Sequence, residues 1–150
     1  MANNLFPVFD VPSEIAENTQ PVKVYAPAPL WDFETGDFAT NGAGQPIYGS
    51  GYDAWVLWCT KIVLTQRWAH DGYTPNTGIE AKEAFKEPDR KAQESALERT
   101  ITEALMADPA GRTAQGRSFL FVWGGDSLDI RCEVVGTDGN SATVEALLRT

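Results

Sequence analysis

Apolar positions along this chain follow two different periods, and the change from one to the other marks its architecture. Tyr52, Trp55, Val56, Cys59, Ile62 and Val63 recur at three- and four-residue spacing, which predicts a helix over 52–68 with one apolar face. Leu57, Trp58 and Leu64 widen that face, so the helix is expected to be central in the fold or covered by a partner on its second side. A short helix is predicted over 79–86. A longer one follows from Pro88, which suits a first helical turn because it has no amide to leave unpaired, and runs to Met106. Its apolar positions, Ala92, Ala96, Leu97, Ile101, Ala104 and Leu105, define a single packing side, and Asp108-Pro109 stops it.

The last third of the chain alternates. Phe119, Phe121 and Trp123 interleave with Ser118, Leu120 and Val122, a strand expected to be at least partly covered on both faces. Gly124-Gly125-Asp126 predicts a tight turn. Leu128, Ile130, Cys132 and Val134 then alternate with Asp129, Arg131 and Glu133, the pattern of a strand with one wet face. Thr137-Asp138-Gly139-Asn140 reads as a second hairpin turn into 142–148, expected as a third strand, with a terminal helical turn as the alternative.

Ahead of the helices, Pro7, Pro12, Pro21, Pro27 and Pro29 interrupt any helix over the first 30 residues. Val22 to Ala26 alternates like a short strand. Leu5, Phe6, Val8, Phe9 and Val11 predict an extended arm that lies against its own domain or a neighbour. Trp31 and Phe33 share one face of an extended segment, Gly36-Asp37 marks a turn, and the glycine-rich stretch 41–51 reads as loop. The expected fold class is α+β: two packed helices and a C-terminal antiparallel β-meander in one domain, 31–150, behind an extended Pro-rich arm, 1–30.

Composition narrows the function. The 150 residues are 43% hydrophobic, enough for a core without a disulfide or metal staple. Twelve basic residues face 21 acidic ones, a net charge of −9, with no basic run; this argues against holding nucleic acid, which needs clustered cations. It suits solubility before assembly and docking onto a basic partner. No stretch has the apolar length of a signal peptide or a membrane span, so no membrane role and synthesis in a cytoplasm are expected. Cys59 and Cys132 sit in apolar patterns without CxxC spacing and read as buried free thiols.

Candidate chemistry is sparse. His70 is the single histidine, and no nucleophile motif accompanies it. No metal-ligand spacing or phosphate loop is present, so no cofactor or metal is expected. Glu80, Glu83, Glu87, Asp89, Glu94, Glu98 and Glu103 interleave with Lys82, Lys86, Arg90, Lys91 and Arg99, the pattern of a solvated helical face rather than of two carboxyls flanking a cleft. Trp55, Trp58 and Trp68 at helical spacing read first as core and, on a second face, as protein-interface anchors.

The order of landmarks points further. Trp31-Asp32-Phe33-Glu34-Thr35-Gly36-Asp37-Phe38 is followed by Lys61-Ile62-Val63-Leu64-Thr65-Gln66-Arg67-Trp68, then Gly72-Tyr73 and Gly78-Ile79-Glu80. A helix ends in Ala104-Leu105-Met106-Ala107-Asp108-Pro109, and an alternating hairpin closes on Val134-Val135-Gly136-Thr137-Asp138-Gly139. Over roughly residues 22 to 140 this set resembles the XkdS-type baseplate proteins of contractile phage tails and tail-like particles, within the wider sheath-initiator (baseplate wedge) family that carries the label "lysozyme-like". Phe33-Glu34-Thr35-Gly36 and Leu64-Thr65-Gln66-Arg67-Trp68 carry most of the resemblance. One departure stands out: where the family has Glu-Pro-Arg or Asp-Pro-Arg, this chain reads Asp108-Pro109-Ala110-Gly111-Arg112, with the arginine two residues late.

The resemblance implies a non-enzymatic baseplate subunit that templates the first sheath ring, present in multiple copies in a ring. It implies as partners the tail sheath protein, other wedge proteins, and tube or hub proteins. The C-terminal hairpin, with Phe119, Phe121, Trp123, Leu128, Ile130, Cys132 and Val134, is the expected sheath contact, offering an open sheet edge to a sheath arm. Asp108, Pro109, Arg112, Trp58 and, on the arm, Phe6 and Phe9 are the expected wedge contacts. The alternative implied by the label is a peptidoglycan-cleaving enzyme; a binding module built on exposed tryptophans is a third reading.

Overall fold

The computed structural model describes residues 25–150. Two small hairpin pairings come first: β1 (Ala28–Pro29) with β4 (Tyr48–Gly49), and β2 (Trp31–Asp32) with β3 (Asp37–Phe38). Helices α1 (Gly51–Leu64), α2 (Ala81–Ala84) and α3 (Arg90–Met106) follow. Strands β5 (Thr113–Trp123), β6 (Ser127–Gly136) and β7 (Ser141–Arg149) form an antiparallel meander in the order β5-β6-β7. The expected α+β class and the meander are both present, and the last element is a strand. The arm residues 1–24, including Phe6, Phe9 and most of the strand expected at 22–26, lie outside the described residues.

Helix boundaries differ from the periodicity for local reasons. Ser50 caps α1: its hydroxyl accepts the Asp53 amide, and the Asp53 carboxylate accepts the Ser50 amide in return. The helix stops at Leu64, four residues early, because Thr65 turns extended and the chain runs out to a parallel bridge between Gln66 and Ile79. Trp68 is therefore off the helix, with φ of 61° and its ring exposed. Pro88 lies outside α3; Asp89 is the cap, accepting the Ala92 amide, so the proline precedes the first turn rather than forming it. The loop expected over 41–51 contains β4, and Phe33 lies in the turn between β2 and β3 instead of sharing an extended face with Trp31.

One face of the sheet carries α1 and α3, and the core lies between. Trp55, Cys59, Ile62 and Val63 from α1 meet Leu97, Ile101, Ala104 and Leu105 from α3 and Leu128, Ile130, Cys132, Val134, Val144 and Ala146 from the sheet. Tyr25 closes the same core, with its hydroxyl donating to the Arg112 carbonyl at 2.9 Å. The Trp55 indole N–H donates to the Thr113 hydroxyl at 3.0 Å, so its one polar atom is paired inside. A register shift between Arg117 and Leu120, where Ser118 takes a φ of 55°, inserts one residue into β5. Side chains alternate with period two, so this bulge is what brings Phe119, Phe121 and Trp123 to the core side after Gly116 has already faced it.

Candidate functional site

The expected sheath contact divides into two groups. Leu128, Ile130, Cys132 and Val134 lie on the central strand, fully packed in the core, with β5 and β7 occupying both edges of β6. They supply neither an exposed surface nor a free edge, which corrects the expectation drawn from one-faced alternation. Alternation identifies which residues share a face, but not whether a strand is central. Phe119, Phe121 and Trp123 are half-buried against the helices. The Trp123 indole donates to Glu94 at 2.7 Å and lies under the Arg90 guanidinium, tying β5 to α3.

The free features lie elsewhere on the meander. The outer sheet face carries exposed Leu120, Val122 and Leu147 between the ion pairs Arg117–Glu133 and Arg131–Glu145. Leu120 and Val122, expected to be partly covered, are open. The β7 strand pairs with β6 in unbroken register from Ser141 to Arg149, and no other strand pairs with it among the described residues. The closing hairpin bond runs from the Gly136 amide to the Asn140 carbonyl at 2.8 Å. Antiparallel alternation then turns the main-chain groups of Ser141, Thr143, Glu145, Leu147 and Arg149 toward the outer rim. In agreement, the Ser141 carbonyl is reached from outside by the Tyr52 hydroxyl at 2.8 Å. The rim of β5 is different: two register shifts break it.

Four of the expected wedge residues do come together. Arg112 grips Asp108 through Nε at 2.7 Å and Nη2 at 3.1 Å, while the amides of Ala110 and Arg112 donate to the same carboxylate at 3.0 Å each. The guanidinium lies over the rings of both Trp58 and Tyr25, at 5.4 and 5.9 Å from their centroids. Burial works against ionisation of Asp108, but the Arg112 side chain and the two amides outweigh it and hold the carboxyl below its ordinary 3.8. Moving the arginine two residues late thus closes a turn within the chain. Beside it, Trp58 and Pro109 line a hollow with Tyr73, Lys61 and Ile62.

The segment after α1 has a structural reason of its own. The Arg67 side chain pairs with Glu80 at 2.6 Å and donates to the Gly78 carbonyl at 3.0 Å, while its amide meets the Ile79 carbonyl at 2.8 Å. The Glu80 amide in turn donates to Thr100 on α3 at 2.9 Å. Leu64-Thr65-Gln66-Arg67-Trp68 and Gly78-Ile79-Glu80, distant in the sequence pattern, are two sides of one clasp.

The carboxyls of Asp32, Asp53, Asp108 and Glu133 are all displaced toward lower values, the wrong direction for the protonated acid of glycoside hydrolysis. Burial pushes the Cys59 thiol up to about 12 and the Cys132 thiol to about 11, and both are free. His70 stacks edge-on against Tyr73 in an exposed turn. No group of three or more potential metal ligands is present among the described residues, and no helix there is long and apolar enough to cross a membrane.

A family model described as contractile injection system sheath initiator matches residues 29–139 of this chain. No curated protein matches it.

Proposed function

The chain belongs to the contractile injection system sheath initiator family, and on that premise we propose that it works by receiving a strand from a sheath subunit at the outer rim of β7. Membership gives it a structural role in the baseplate of a contractile tail or injection system. The observation that carries the finer reading is the β7 rim, regular over Ser141–Arg149 and unpaired by any other strand among the described residues. An added strand would complete the hydrogen-bond ladder there, giving affinity from the main chain and register from the side chains. The doubly bulged β5 rim is the poorer template.

In this reading the protein is a wedge component, made in the bacterial cytoplasm and repeated around a ring, and it turns over no substrate. Trp58 and Pro109 face another wedge protein, as does the arm ahead of Tyr25 through Phe6 and Phe9. Tube or hub proteins are further neighbours. The test is co-assembly: the full chain is purified with the sheath protein of the same particle and followed by sizing and imaging. A joint assembly with a sheath strand on β7 is expected; two folded proteins that never associate would overturn the reading. A cell-wall cleavage assay, expected to be blank, separates this from the peptidoglycan-cleaving alternative.

A further inference from the structure

Between Val24 and Lys61 the sequence contains no Lys, Arg or His, yet it holds Asp32, Glu34, Asp37 and Asp53. None of these four takes part in an ion pair among the described residues. The same stretch exposes Phe33, Phe38, Tyr48, Trp31, Ile47 and Tyr52, with Tyr48 66% and Phe33 49% accessible. A protein of this size rarely leaves so many large apolar side chains together in water without a partner.

The layer is also held in shape. The Asp32 carboxylate accepts the Glu34 amide at 2.8 Å, and the Asp37 carboxylate accepts the Phe38 amide at 2.7 Å. Trp31 meets Phe38 edge-on at 5.1 Å. The Leu30 amide donates to Ile47 and the Ile47 amide to Ala39, both at 2.8 Å, fastening the two small hairpins to each other. Between this layer and α1 runs a groove of about 350 Å³ lined by Leu30, Phe33, Tyr52, Val56, Leu57 and Thr143.

We propose that this acidic aromatic layer, with its groove, is a docking surface for a basic, apolar-tipped segment of a different protein, with arginine as the anchoring cation. Arginine suits both parts: it pairs with carboxylates through a planar fork and stacks on aromatic faces. Charge selects against the two nearest alternatives. Residues 1–24 carry Asp10, Glu14 and Glu17 against Lys23, and a second copy carries the same net −9, so neither complements the layer. The surface adjoins the start of the β7 rim, where Tyr52 reaches the Ser141 carbonyl and Thr143 lines the groove, but it does not depend on that rim being used.

The probe is a synthetic peptide of alternating Arg and Leu, titrated into the isotope-labelled full chain with backbone amide shifts read by NMR. Saturable shifts confined to 30–38, 47–60 and 142–143 are expected, with no response to the same peptide carrying Glu for Arg. The triple variant Asp32→Asn/Glu34→Gln/Asp37→Asn keeps the turn acceptors and is expected to weaken binding about tenfold. Its control, Glu83→Gln/Glu87→Gln/Glu98→Gln, loses the same charge from the helical face and is expected to change binding less than about threefold. Equal losses in the two variants, shifts centred on α3 or on β7 beyond Thr143, or no saturable binding would each overturn the proposal.

Discussion

Arg112 folds back on Asp108 across four residues and holds its carboxylate through two hydrogen bonds, with the acid side chain only 2% exposed. The pair fixes the turn that carries the chain from α3 into β5. Removing the guanidinium leaves the Asp108 charge buried with only the amides of Ala110 and Arg112 to hold it, so Arg112→Met is expected to cost about 3 kcal/mol in urea unfolding.

The same pair gives a pH dependence with a definite sign. Asp108 titrates below its ordinary 3.8 in the folded state, so its ionised form stabilises the fold above that value. The contribution disappears as the pH falls through the lowered value. The stability gap between the native chain and Asp108→Asn, measured by urea melts, is expected to be full near neutrality and to close in strong acid. A gap independent of pH would show that the carboxylate charge is not what holds the turn.

Gly78 has a φ of +90°, and a Cβ there would collide with the Thr65 carbonyl across the clasp. Gly78→Ala is therefore expected to cost about 2 kcal/mol from backbone strain together with steric displacement. Crude disruption of the adjacent Arg67–Glu80 pair by Glu80→Gln should cost less, since Arg67 keeps its bond to the Gly78 carbonyl.

A proline separates rim function from folding. Thr143 turns its amide outward on β7, so Thr143→Pro removes a donor that bonds nothing inside the sheet. The fold should survive with less than about 1 kcal/mol lost, while association with the sheath protein is abolished. Unimpaired association would exclude this rim as the point of strand addition.

Both thiols should be inert in the native protein. Cys59 and Cys132 are buried and titrate near 12 and 11, so almost no thiolate exists at pH 8. A disulfide exchange reagent is expected to leave the folded chain unlabelled and to modify both cysteines in denaturant.

Helical and alternating periods in the sequence were enough to specify the amphipathic face of α3 and the strands of the first C-terminal hairpin, because each depends on side chains i to i+4 along a single element; that the last element is a third strand rather than a helical turn was decided by the structure. The pattern Leu64 to Trp68 and the run Asp108 to Arg112 were visible as landmarks, but their roles were not. Arg67 needs Glu80 thirteen residues away, and Arg112 needs Trp58 and Tyr25 from other elements. Tertiary structure also decided which side chains of the meander are available. Period two cannot register a bulge at Ser118, nor by itself tell that β6 is central and β7 peripheral, since strand order follows from the two hairpins that share β6. Local spacing determined the main helices and strands; contacts between residues remote in the chain determined where α1 ends and which edge and which face remain open to a partner.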